Sequence, residues 1–310
     1  MWAYIIRRLL YLIPTILGVA LLVFVLFNVA GPDPVRLALG QHASEIAIAD
    51  KRAEWGLDKP MYAQFGDFVG QIVTFDYGRS YDSGERLGQM FQKGAVVSLS
   101  LTAPPFLCSI FLNVCLAMLI AYKRGSWFDK FATASAIMAM SVSYLVYIIA
   151  FQFIFVDQLD LFTAEDFEHG WRSVYYLLLP WLIAMVVAVG PDTRIYRTFF
   201  LDEMNADYVR TARAKGINET GVLFKHVLKN VLIPVLTYTV VSIPFLVLGA
   251  FLMERFFSLP GLGNLLITAI QNGDYPVLKG LTMYIAIGYS VFNLITDVLY
   301  AFVDPRVELS

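Results

Sequence analysis

Long apolar runs, separated by short basic turns and two longer polar stretches, dominate the pattern of this sequence. Six runs approach the roughly 20 residues that an α-helix needs to cross a bilayer core. They cover residues 9–31, 97–122, 131–156, 173–191, 232–253 and 281–303. Several contain proline: Pro14, Pro104, Pro105, Pro180, Pro234 and Pro244. Membrane helices tolerate these, because neighbouring helices and side chains satisfy the freed backbone groups. The pattern therefore predicts an all-α polytopic membrane protein with six transmembrane helices. Between the first two spans, 32–96 reads as an extracytoplasmic region with short helices over 46–54 and 61–73. Between spans four and five, 192–231 reads as a helix over 207–216 stopped at Gly216. Asn218 then caps a second helix over 219–231. The chain divides into a tail and first span (1–31), the polar region (32–96) and a core membrane domain (97–310).

Composition agrees: 58% of the 310 residues are hydrophobic and only 15% charged, where a soluble domain has about a quarter charged. Charge placement adds an orientation. Arg7 and Arg8 precede span one, and Lys123, Arg124 and Lys130 fill the turn after span two. Arg194, Arg197, Arg210, Arg213, Lys215, Lys225 and Lys229 crowd 192–231. All three segments fall on one side, predicted to be cytoplasmic together with both termini. The loop 157–172 carries Asp157, Asp160, Glu165, Asp166 and Glu168 against Arg172, and falls on the other side. The first apolar run is too long for a cleaved signal and reads as a retained span. A net charge of -2 suggests no nucleic-acid partner.

Candidate chemistry is sparse. Cys108 and Cys115 lie seven residues apart in one run, too far along a helix to pair. His42, His169 and His226 lack metal-ligand spacing, so no metal is expected. Asp297 reads as the one acid well inside a span, held with Asn293 as a structural polar group near the cytoplasmic end. Asn113 in span two either lines a path or bonds across helices. Ser143 and Ser242 are the other candidate path residues. No G-x-x-x-x-G-K-[ST] loop occurs, so the chain is expected to bind no nucleotide or other cofactor and to catalyse nothing itself. The helix–Gly216–helix segment, with Val222, Leu223, Phe224 and Val227 among Lys225, His226 and Lys229, has two physical readings. One is an amphipathic helix on anionic lipid. The other is a knob that fits a groove on a soluble partner.

The segment Tyr208-Val-Arg-Thr-Ala-Arg-Ala-Lys-Gly216, followed by Phe224-Lys-His-Val-Leu-Lys-Asn-Val-Leu-Ile-Pro234, resembles the EAA loop of ABC importer permeases. It is most similar to the dipeptide and oligopeptide family, although Arg210 stands where the general pattern starts with glutamate. The resemblance runs along the whole chain: Arg7-Arg-Leu-Leu-Tyr-Leu-Ile-Pro14, Gly56-Leu-Asp-Lys-Pro60 and Asp76-Tyr-Gly-Arg-Ser80 match that family. So do Glu254, Phe257-Ser-Leu-Pro-Gly-Leu-Gly263, Asp274-Tyr-Pro276, and Asn293 with Asp297, Tyr300 and Asp304-Pro-Arg306. Span three departs, with Ser141-Val-Ser-Tyr144 where the family often has an early proline.

The resemblance implies the ABC type I importer permease fold in a bacterial inner membrane. It implies a second, similar permease, two cytoplasmic ATPases that use ATP and Mg, and an extracytoplasmic substrate-binding protein that delivers peptide. It further implies that Ala212, Ala214, Lys215, Gly216, Asn218, Glu219, Val222, Leu223, Phe224 and His226 couple to an ATPase. Two other classes compete. A self-sufficient carrier usually places several acids or histidines in mid-membrane, where the sequence shows Asp297 alone. A membrane scaffold without transport needs only the knob.

Overall fold

A computed structural model describes residues 2–31, 33–39, 44–162, 173–246 and 251–303. Among them the chain is helical throughout, with one isolated β-bridge between Arg79 and Arg86. The first helix, α1 (Trp2–Val25), continues into a π-helical turn, Leu26–Ala30. A cap follows, made of α2 (Pro34–Leu39), α3 (Glu45–Glu54) and α4 (Met61–Thr74). Then come α5 (Leu87–Tyr122), α6 (Trp127–Ser141), and α7 (Tyr144–Gln152) with a π-helical extension, Phe153–Gln158. The chain continues through α8 (Ser173–Met204), α9 (Asp207–Ala214) and α10 (Glu219–Leu246). It closes with α11 (Phe251–Phe256), α12 (Leu262–Asn272) and α13 (Tyr275–Val303).

Among the described residues, five single helices are long and apolar enough to span a membrane, α1, α5, α8, α10 and α13, and α6 with the α7 segment makes a sixth candidate when taken as one span. The two short helices expected in the polar region appear as α3 and α4, each within one residue of the expected ends. Other boundaries shift, mostly outward. The 36 residues of α5 extend roughly 54 Å at 1.5 Å per residue, well beyond a hydrocarbon core of about 30 Å. Its start at Leu87 precedes the expected span start by ten residues, and α8 runs to Met204, past the expected end at 191. The expected helix over 219–231 and span five are one continuous helix, α10, which ends at Leu246. The last part of the expected span, 247–250, lies outside the described residues, and α11 begins beyond it. Apolarity marks only the length of helix that meets lipid. Backbone hydrogen bonding carries the helix on into water.

The expected third span is present as a broken one. It is two helices, α6 and the α7 segment through Gln158, bent by 94° at Val142 and Ser143. Val142 and Ser143 are extended, with ψ of 132° and 142°. The Tyr147 hydroxyl donates to the Ala139 carbonyl at 3.0 Å, which satisfies one backbone acceptor at the end of α6. Each half is 15 residues long, too short to cross alone.

Prolines explain how the bundle is cross-tied. Pro104 has no N–H, so the Ser100 carbonyl four residues earlier loses its helical donor. The Trp181 indole N–H of α8 supplies one at 3.0 Å. Pro244 likewise gives the Val240 carbonyl no donor four residues on, and that carbonyl accepts instead from the Ile243 N–H and from the buried Thr296 hydroxyl of α13, the latter at 3.1 Å. Two backbone defects thus become two interhelical bonds, α8 to α5 and α13 to α10. Close approach adds to this: a Cβ on Gly190 would lie 3.0 Å from Met140 and 3.1 Å from the Ala136 carbonyl of α6. Around the rim, Leu9, Leu10, Tyr11, Leu21 and Leu22 of α1 point outward, as expected of a lipid-facing surface.

Candidate functional site: a docking knob and a membrane cavity

The turn after α9 follows from local chemistry. Gly216 has φ of +78°, the left-handed region that favours glycine. The Ile217 N–H donates to the Ala212 carbonyl, and the Gly216 N–H to the Arg213 carbonyl, which is a Schellman stop. The Asn218 side chain then accepts from the Gly221 N–H at 2.9 Å and starts α10. Arg213 and Glu219 bridge the turn with two hydrogen bonds of 2.8 and 3.2 Å.

This knob is seated on the bundle. Ala212, Val222, Leu223 and Val227 pack with Val209 against Val114, Ala117 and Ala121 of α5 and Tyr196 and Phe200 of α8. Leu223 is therefore turned inward, at 6% exposure, whereas Phe224 stands out at 59%. Ala214, Lys215, Gly216, Asn218 and Glu219 are exposed with it. His226 is half-buried, and its Nε2 meets no partner among the described residues. The ten expected coupling residues thus split into an inner, anchoring set and an outer, presenting set. Beside the knob, Arg197 of α8 makes a two-pronged ion pair with the buried Asp129 of α6, which also accepts from the Gly125 N–H.

Higher in the bundle, a cavity of about 250 Å³ lies between α5, α8, the α6–α7 break and the residues flanking 247–250. Leu101, Pro105, Tyr144, Leu246 and Met253 form much of its apolar wall, and Asp192 lines it. Asn113 is wholly buried and faces Asp192 rather than the cavity: its Nδ2 donates to Asp192 Oδ2 at 3.4 Å. The Thr193 hydroxyl donates to Asn113 Oδ1 at 3.0 Å, and the Tyr238 hydroxyl to Asp192 Oδ1 at 3.2 Å. Ser143 and Ser242 do not line this cavity. Ser143 sits exposed at the α6–α7 break, and the Ser242 hydroxyl donates back to the Tyr238 carbonyl.

At the other end, three separated motifs meet around a cavity of about 440 Å³. Residues of 56–60, 76–80 and 274–276 share its lining with Lys279. The buried Asp274 ties the last two together, accepting from the Ser80 hydroxyl at 2.5 Å and the Tyr81 N–H at 3.2 Å. Trp55 stacks on Tyr81 at 3.6 Å. Burial pushes the Tyr77 hydroxyl up to about 12, so it stays protonated there.

The model for the family described as the binding-protein-dependent transport system inner membrane component matches residues 113–309. The model for the N-terminal part of that component matches residues 1–104. The chain belongs to this family. It is a permease subunit of an ABC transport system and a multi-pass inner-membrane protein. A dipeptide transport system permease protein of Alkalihalophilus pseudofirmus is 30% identical over 99% of this chain and 100% of its own. A putative peptide transport system permease protein of Brucella abortus is 34% identical over 99% of both chains. A glutathione transport system permease protein of Salmonella typhimurium is 32% identical over 98% of both.

The permease contains polar groups that sequence reasoning misplaces. Asp297 is not the one acid in a membrane helix, because Asp192 lies within α8. Along the sequence Asp192 reads as part of a loop, since the basic residues that follow it end the apolar run. Asp297 itself pairs with Arg8 at 3.0 Å, while Asn293 is exposed. Glu254 stands out in the sequence only as part of a motif, yet it is fully buried. It accepts from the Ser98 hydroxyl at 2.7 Å, the Gly263 N–H at 2.6 Å and the Asn264 N–H at 3.0 Å. Its carboxylate caps the start of α12 and ties it to α5. His42, His169, Asp304, Arg306 and most of the acidic loop lie outside the described residues.

Proposed function

We propose that this permease, with a second similar permease, forms the path by which peptides delivered by an external binding protein enter the cell. The peptide reading rests on the relatives, whose names give peptide, dipeptide or glutathione transport. Its role as a non-catalytic subunit rests on the knob, the observation that carries the mechanism. A helix pair whose inner face is locked onto α5 and α8, and whose outer face offers Phe224, suits the groove of a soluble ATPase. Because α10 is continuous from the knob into the membrane, a push on the knob moves a whole span. The ATP and Mg are used by the partner ATPases, two of them in the assembled importer, and this chain binds neither. Pure permease is expected to hydrolyse no ATP, and hydrolysis with peptide uptake to appear on reconstitution with the ATPases and the binding protein. Robust hydrolysis by the pure chain refutes the assignment.

This reading places the knob in the cytoplasm and the cap outside. Impermeant thiol labelling of intact cells tests it, in a background with Cys108 and Cys115 replaced by serine. A cysteine at Glu45 should label and one at Glu219 should not. The reverse result overturns the topology.

A further inference from the structure

Asp192 is a carboxylate facing an apolar cavity inside a membrane helix. It lies nineteen residues into α8, roughly 28 Å from Ser173 at 1.5 Å per residue. Among the described residues, no Lys, Arg or His nitrogen comes within 4.0 Å of it. The nearby Arg197 is taken by Asp129. An acid in a span that has no cationic partner is costly unless it has a task.

Its surroundings aim it. Thr193 fixes Asn113 so that the amide N–H points at one carboxylate oxygen, while Tyr238 donates to the other. Each oxygen keeps lone pairs beyond these bonds. The remaining wall is largely apolar, so an approaching charge is attracted through a medium of low dielectric. At about 250 Å³ the cavity is smaller than the roughly 300–1,000 Å³ pockets that enclose a drug-sized ligand. It suits one group of a larger cargo. We infer that Asp192 receives a cationic side chain of the peptide cargo as it crosses the membrane. The inference rests on the peptide reading above and makes the permease itself, beyond the delivering binding protein, a source of cargo preference.

The test is uptake by cells carrying the complete transporter. Two labelled tripeptides are compared, identical except for lysine or norleucine at the central position. The binding protein's own preference cancels when each variant is referred to wild type. Asp192→Asn keeps the shape and is expected to lower the lysine-to-norleucine uptake ratio about tenfold, the loss of one charge-assisted contact. Norleucine-peptide uptake should hold, which shows that the variant folds. Asp192→Glu should retain the preference. An unchanged ratio in Asp192→Asn, or equal loss of both peptides, overturns the inference and assigns Asp192 a structural role. Import of only the norleucine peptide by wild type overturns it as well. If wild type imports neither peptide, the peptide reading falls, and this inference with it.

Discussion

Glu254→Ala is expected to remove most of the permease from the membrane. Its carboxylate is fully buried and accepts from Ser98, Gly263 and Asn264. Deleting it strands those donors, at roughly 1–3 kcal/mol for each one left buried and unpaired. The sum is on the order of 3 kcal/mol or more, a large part of the roughly 5–15 kcal/mol that holds a typical fold. Gly263→Ala should act at the same place by a different route. Its Cβ would lie 2.2 Å from Phe251 Cδ1 and 2.7 Å from Phe251 Cα, so backbone must move, at about 1–3 kcal/mol. A membrane immunoblot and a thermal-shift measurement in detergent check both variants. Wild-type level and melting in both would show that the latch between α5, α11 and α12 contributes nothing to stability.

Gly216→Val and Phe224→Asp should abolish uptake while leaving the protein in the membrane. A Cβ at Gly216 would meet nothing within 4 Å, so the penalty there is conformational rather than steric. A β-branched residue at φ of +78° is strained by roughly 1–2 kcal/mol, enough to tilt the knob. Phe224→Asp leaves the knob folded, because the ring is 59% exposed. It removes the apolar anchor and should weaken ATPase capture about tenfold or more. Leu223→Asp is a contrasting control. It puts a charge into the cluster with Val209, Val227 and Phe200 and should lower protein level instead. The measurements are uptake, a membrane blot and ATPase co-purification. Normal uptake by Gly216→Val and Phe224→Asp, at normal level, would mean that the knob rests on lipid and drives nothing.

The knob is legible in the sequence down to single residues. Gly216 and Asn218 act through bonds to neighbours within five positions, so local composition suffices to place the stop and the cap. What local composition lacks is direction. Leu223 and Phe224 are adjacent apolar residues on one helix, and only the position of α5 and α8 decides that one is buried and the other exposed. The bend at Val142 and Ser143 is illegible for a related reason. Hydropathy runs across 131–156, and no proline or glycine stands at the break.

By itself the sequence determined the membrane class, the number of apolar runs and the two cap helices, because lipid and helical hydrogen bonding act on consecutive residues. It also carried the family resemblance. The tertiary structure alone decided which polar groups meet. Asp192 is nearly eighty positions from Asn113, Glu254 is more than 150 from Ser98, and Asp274 is more than 190 from Ser80. A buried polar group is stable only beside its partner. That partner is fixed by how the helices pack and cannot be read along the chain.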